Sequence, residues 1–224
     1  MSRRHTNRTR ALQRALPVTP ADAMTDVASL SVPDRLRLGL RFDADAIAAE
    51  IAEVSPASWI PHFNKVIHEG EWSGVTLRGP GGDAGRIYPD PTGTQPVADT
   101  PVLDGCPIVA KAIASLQCPV LIARFLSLGP GSVLHPHSDE GLGFDAGTVR
   151  LHVPVVSDPE VTFELGGSPV TMALGECWYL DLRKPHSASN GSGRQRVHLV
   201  LDCRVDQWLT AVFAQALTAI DKEG

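Results

Sequence analysis

The stretch GSVLHPHSDEG (131–141), read together with DLRKPHSASN (181–190), decides what kind of chain this is. Side chains alternate along an extended segment, so His137 and Asp139 project to one face. His186, 49 residues further on, supplies a second imidazole. Two imidazoles and one carboxylate make the facial triad of non-haem Fe(II) oxygenase sites, which leaves half an octahedron open. His186 follows a strand-like run and the turn at Pro185, a rim position from which ligands project inward. His135 shares the face of His137 if the segment is extended. A third histidine would overfill the triad, so His135 is assigned to the surroundings of the site or to the surface.

Short strands punctuated by turns surround these two motifs. They are expected at PVLIARFLSL (119–128), GSVLHPH (131–137), VRLHVPVV (149–156), EVTFEL (160–165), SPVTMAL (168–174), CWYLDL (177–182) and RVHLVLDC (196–203). GGS at 166–168 signals a tight hairpin. This pattern predicts a mainly β jelly roll, cupin-like, with the site at its mouth. Flanking helices are expected at DADAIAAEIAEV (43–54), with an aspartate cap, and at CPIVAKAIASL (106–116). DQWLTAVFAQALTAIDKE (206–223) has helical apolar spacing and should pack outside the sheets. Residues 64–79 read as a hairpin or paired strands around Glu69-Gly70. The Gly-, Pro-, Asp- and Thr-rich stretch 79–104 is too long for an idle connection, which suggests a lid or substrate loop.

The 224 residues suffice for one well-buried domain, and 18 prolines with 20 glycines favour short strands over a helical bundle. Residues 1–30 are expected to be a flexible or loosely packed arm. Residues 31–224 form a single domain: helical and loop-rich to about 117, a β core over 118–203, then a C-terminal helix over 206–222. A net charge of −5 offers no basic face for nucleic acid. The cysteines Cys106, Cys118, Cys177 and Cys203 form no CxxC pair and read as buried thiols in a reducing compartment. No run approaches the roughly 18 apolar residues of a membrane span, and no secretory core opens the chain. Arg3, Arg4, Arg8, Arg10 and Arg14, with no acid among the first 16 residues, fit a basic tail better than a transit peptide. The expectation is a cytoplasmic protein with neither nucleic-acid nor membrane partners, and the sequence leaves its oligomeric state open.

Arg196 stands ten residues after His186. An oxygenase that uses 2-oxoglutarate needs a fixed cation for the distal carboxylate, and an arginine fork matches a carboxylate in bidentate fashion. On RVHLVLDC, Arg196, His198, Val200 and Asp202 share one face, with the arginine near the barrel mouth. Arg150 and His152 form a second Arg-x-His pair. They either face solvent on the outer sheet or hold the cosubstrate's metal-chelating end or the substrate. Arg78, in TLRGPGG, is a candidate for a substrate carboxylate, against the plain alternative of a solvated surface arginine.

The runs RFLSLGPGSVLHPHSDEG, RLHVPV and GECWYLDLRKPHSASNGSGRQRVHLVLDC, with EWSGVTLRGPGG and TPVLDGCP upstream, resemble the aspartyl/asparaginyl β-hydroxylase family. The likeness includes its bacterial members and the related free-proline hydroxylases, and spans roughly residues 55 to 210. It implies a double-stranded β-helix with Fe(II) and 2-oxoglutarate as cofactors. It also implies His137 and His186 as iron ligands, Arg196 as the 2-oxoglutarate anchor, and an Arg150/His152 pair that contacts the cosubstrate. Two departures stand out. Vertebrate peptide-hydroxylating members have glycine where Asp139 stands, and a serine where this chain has Leu126. The full triad is a feature of the proline hydroxylases, which puts a vertebrate-like peptide substrate in doubt.

The resulting expectation is a dioxygenase that hydroxylates an unactivated C–H bond of a free or peptidyl amino acid or similar small molecule. O₂ is consumed, and succinate and CO₂ are released. Two other readings stay open. One is a cupin metalloenzyme, an isomerase or a 2-oxoglutarate-independent dioxygenase, with His135, His137, Glu140 and His186 as ligands. The other is a non-catalytic jelly-roll binding module.

Overall fold

The strand alternation resolves into two antiparallel sheets in a computed structural model that describes residues 30–87 and 94–223. In chain order the elements are β1 (Arg35–Arg41), α1 (Ala44–Glu53), β2 (Ile60–Pro61), β3 (His68–Glu69), β4 (Trp72–Pro80), β5 (Val97–Asp99), α2 (Pro101–Asp104) and α3 (Pro107–Ala114). Then come β6 (Val120–Leu128), β7 (Val133–His137), β8 (Thr148–Val156), β9 (Val161–Leu165), β10 (Ser168–Pro169), β11 (Glu176–Leu180), β12 (His186–Asn190), β13 (Arg196–Arg204) and α4 (Gln207–Glu223). The large sheet runs β1-β11-β8-β13-β6-β4-β2, with β5 paired to β4; the small sheet runs β10-β9-β12-β7-β3. Apart from the β4–β5 and β9–β10 pairs, neighbours in both sheets are non-consecutive, the mark of a jelly roll, here with helices on one side.

The large sheet is buried on both faces, so its strands β8 and β13 are buried along nearly their whole length. One face carries Leu77, Phe125, Leu151, Val153, Leu199 and Leu201 and packs on helices. From α4, Leu209, Val212 and Phe213 join that core, and Phe213 meets Tyr179 with ring centroids 5.1 Å apart. Each such fully buried side chain contributes about 1.5–3 kcal/mol of hydrophobic stabilisation. The opposite face looks toward the small sheet. There a smaller core of Leu128, Phe163, Leu165, Leu180 and Leu182 gives way to charged and imidazole side chains.

Several expectations are met closely. Asp43 caps α1, its carboxylate accepting from Ala46 N–H at 3.0 Å. Gly166 and Gly167 both take positive φ (58° and 74°) in the β9–β10 turn, as a two-residue hairpin demands. All four cysteines are free and buried. Others are corrected. Residues 64–79 form no hairpin: β3 pairs with β7 in the small sheet, whereas β4 pairs with β6 in the large one. The expected strand at 168–174 is a strand only over Ser168–Pro169, with one further backbone bond from Val170 N–H to Phe163 O at 2.8 Å. His186 does follow a strand, β11, and the turn at Pro185, and it also opens a further strand, β12. Within 79–104, Val97–Asp99 pairs with β4 and Pro101–Asp104 is helical, while residues 88–93 and the arm 1–29 lie outside the described residues. No helix among the described residues is long and apolar enough to cross a membrane.

Candidate active site

Neighbouring strands of the small sheet bring the three motif residues together. His137 ends β7 and His186 opens β12, and the two are direct partners in the ladder. Their rings lie 4.2 Å apart between centroids. Asp139 follows β7, where its backbone N–H donates to Leu182 O at 2.8 Å. Possible ligand atoms of His137, Asp139 and His186 all fall within 4.8 Å of one another, the one such group of three among the described residues.

Backbone carbonyls set both imidazoles. His137 Nδ1 lies 2.8 Å from His135 O, and His186 Nδ1 lies 3.2 Å from Lys184 O. With the proton on Nδ1, each ring presents a lone pair on Nε2, as a metal ligand must. Burial, and then the neighbouring His137, lower His186 to about 4, so its imidazole is neutral at ordinary pH. The donor set and its preset orientation fit a two-histidine, one-carboxylate metal site.

His135 does not share the site. Two steps along β12, from His186 to Ala188, match three along β7, from His137 to Leu134. The extra residue is a β-bulge at His135–Pro136, and it reverses the alternation. Leu134 and His137 both turn inward, whereas His135 Nε2 lies 3.2 Å from Glu69 on the surface. Glu140 is exposed. The cupin ligand set is therefore not assembled.

On the inward face of the large sheet, Arg150 and His152 are buried, not solvated. Arg150 Nε and Nη2 hold both oxygens of Asp202 at 2.6 and 2.8 Å, while Nη1 holds Asp139 Oδ2 at 2.5 Å. Burial alone would lower the Arg150 pKa, but the two carboxylates outweigh it and raise it. Conversely, burial alone would raise Asp202, and Arg150 with Arg124 bring it below the usual carboxylate range. Arg124 Nη2 stands 3.6 Å from Asp202, and its Nη1 donates to Ile87 O at 2.6 Å.

Arg196 is buried on β13 and donates through Nη2 to His198 Nδ1 at 3.1 Å; His152 Nδ1 lies 3.4 Å from the same nitrogen. Burial, then the Arg196 charge, holds both histidines well below the normal imidazole range and hence neutral. Burial also lowers Arg196 itself to about 10, which still leaves it a cation at neutral pH. Its Nε is buried with no partner among the described residues. A cavity of about 510 Å³ lies against Arg196 and His198, lined also by Thr162, Phe163, Val170 and Met172. Phe163 links this cavity to the histidine cluster, its ring centroid 6.2 Å from that of His186. A buried, incompletely paired cation facing a cavity fits an anionic ligand.

Arg78 is placed differently: Asp99 on β5 takes its Nε and Nη2 in a bidentate pair. Sequence reasoning missed Arg124, and gave no role to His198 or Asp202, although the alternation had put the last two on the face of Arg196. It also missed an aromatic flank at the site. His62 stacks on Trp72 at 3.6 Å, Trp72 lies 6.3 Å from His137, and buried His68 packs edge-on to Trp72 with neither ring nitrogen partnered among the described residues. No motif spacing marks these residues, because they converge from separate elements.

Fold and site together define a jelly-roll protein with a two-histidine, one-carboxylate metal-type centre. The aspartyl/asparaginyl beta-hydroxylase family pattern matches residues 41–205, and the chain belongs to that family. It is 25% identical over 167 residues to L-proline cis-4-hydroxylase of Rhizobium meliloti (strain 1021), a match that covers 73% of this chain and 58% of that protein. The chain thus spans less than two thirds of the length of that relative. A Trichoplax adhaerens prolyl hydroxylase, solved with a hypoxia inducible factor oxygen degradation domain peptide fragment, shares the fold at TM-score 0.51 and 9% identity, covering 80% of this chain and 86% of that one. A Pseudomonas putida prolyl-4-hydroxylase matches at TM-score 0.49 and 17% identity, over 80% and 97% of the two chains.

Proposed function

We propose that the protein is an Fe(II)- and 2-oxoglutarate-dependent dioxygenase that hydroxylates a C–H bond of an amino acid or amino-acid-like residue. In this reading residues 31–224 are its catalytic domain. The observation that carries it is the pairing of two features in one barrel: the His137–Asp139–His186 cluster, and the buried Arg196 cation against a cavity. His137, Asp139 and His186 would hold iron, and Arg196 would take the far carboxylate of 2-oxoglutarate. Bound iron and cosubstrate supply the oxidising chemistry, with succinate and CO₂ released. The chain's own task is placement. His198 steadies the Arg196 fork, His152 backs His198, and Phe163 lines the path between the cavity and the metal cluster. The stacked His62–Trp72 pair and buried His68 stand beside His137 as a wall for the substrate. A free amino acid as substrate is favoured by the relation to an L-proline cis-4-hydroxylase, with a peptidyl residue as the alternative. Four buried free thiols suit a reducing, cytoplasmic setting.

The test is succinate formation from 2-oxoglutarate by the full chain, with Fe(II), O₂ and a panel of free and peptidyl amino acids. Fe(II)-dependent 2-oxoglutarate binding is measured alongside it. Arg196→Gln is expected to weaken that binding about 10–100-fold, the worth of a charge-assisted hydrogen bond. Absence of both turnover and Fe(II)-dependent binding in the unaltered chain overturns the reading.

A further inference from the structure

We infer that Arg150 is a positioning residue for the carboxylate ligand Asp139, and that Asp202 in turn fixes Arg150. The inference rests on the metal-centre reading above, and differs from a direct contact between Arg150 and the cosubstrate.

Asp139 is the least constrained of the three candidate ligands. It lies beyond the end of β7, and its carboxylate is about one-third exposed (32%). Its backbone is fixed through Leu182 O, but strand geometry does not choose its side-chain rotamer. Arg150 does, by holding Oδ2 and leaving Oδ1 for a metal. The arginine itself cannot swing away. It projects from the middle of the large sheet, and Asp202 grips its other two nitrogens from the adjoining strand, where the two residues are ladder partners. Arg124, on the next strand over, backs Asp202. All three guanidinium nitrogens of Arg150 therefore face carboxylates. The line Asp139–Arg150–Asp202–Arg124 crosses from the small sheet to the large one. Burying this many charges is costly, and an apolar core would be the cheaper way to hold two sheets together. What the line adds is a fixed angle for one oxygen pair. Ligating carboxylates are commonly hydrogen-bonded from behind in this manner, and loss of the partner weakens metal affinity about 10–100-fold.

The experiment measures Mn(II) and Co(II) binding to the full chain by calorimetry, for the unaltered protein, Arg150→Lys, Asp139→Asn and the double variant. Arg150→Lys should weaken metal binding about 10–100-fold in the unaltered background. In the Asp139→Asn background it should weaken it less than about threefold, because the interaction it serves is already lost. Affinity for 2-oxoglutarate at saturating metal should change less than about threefold. Equal losses in both backgrounds mean a general structural role and overturn the inference. So does unchanged metal binding with a large loss of 2-oxoglutarate affinity, which returns Arg150 to the cosubstrate. If circular dichroism shows Arg150→Lys unfolded, Asp202→Asn takes its place in the same cycle, with the same pattern expected at smaller amplitude. An unaltered chain that binds neither metal overturns the metal-centre reading itself, an outcome distinct from the other two.

Discussion

His135 and His137 are separated by a single proline and have opposite fates. One faces Glu69 at the surface; the other meets His186 across the ladder. Spacing alone puts them on one face, and only the bulge at His135–Pro136 separates them. The consequence is measurable. His137→Ala should abolish Fe(II) binding, because it removes one of three ligands. His135→Ala should leave Fe(II) affinity within about twofold and stability within about 0.5 kcal/mol, the usual range for a surface change. Metal titration and urea unfolding of the two variants check this, and loss of Fe(II) binding in both variants would move the ligand set to the cupin arrangement. The same scale shows what the sequence made legible. His137, Asp139 and His186 could be picked out because metal ligands come as residue types at rim positions of strands. Asp202 could not, because an aspartate near the end of an apolar strand has no signature until Arg150 is seen opposite it.

At the level of elements, the expected strands of the β core correspond to observed ones except at 168–174, since turn residues and alternation act locally. The error at 64–79 has a physical reason. Glu69-Gly70 does turn the chain, but hydrogen bonding to β7 on one side and β6 on the other sends the two strands into different sheets. Such long-range pairing is not written in the turn. The turns themselves differ in what they demand. Gly175 (φ 73°) lies between β10 and β11, donates to Pro154 O and accepts from Phe42 N–H, and a Cβ there would overlap Phe42 O. Gly131 (φ 68°), in the β6–β7 turn, has open space around a Cβ. Gly131→Ala should therefore cost only the left-handed backbone penalty, about 1–2 kcal/mol. Gly175→Ala should cost more, because backbone must move as well. Thermal melts of the two variants decide it. Equal losses would mean that the strand connection at Gly175 relaxes freely.

Across the whole molecule, the large sheet divides the protein into an apolar half under the helices and a charged half between the sheets. Sequence reading caught this division on β13, where Arg196, His198 and Asp202 alternate, but not across the sheet, because a strand buried on both faces reads as one apolar run with a few polar interruptions. The interruptions were the site. They also burden the fold with buried imidazoles that must stay neutral. Burial, then the Arg196 charge, puts His152 and His198 well below the ordinary value of 6.5. Burial likewise takes His62 and His186 to about 4. The folded pKa values lie below the unfolded ones, so as pH falls through about 6.5 the unfolded chain gains protons that the folded chain refuses. Stability is therefore fully present above about pH 7.5 and is lost as pH drops, by about 1.4 kcal/mol per pH unit for each histidine once its unfolded form is protonated. Asp202 and Glu176, whose pKa values are lowered in the fold, lose their contribution only below about pH 4, so the two windows separate. Urea unfolding of metal-free protein at pH 7.5, 6.5 and 5.5 should show a steep fall between the last two. His198→Asn, which removes one such imidazole, should reduce that slope by about one proton's worth. A flat profile from 7.5 to 5.5 would mean that these imidazoles gain protons in place, and that the interior between the sheets is wetter than its burial implies.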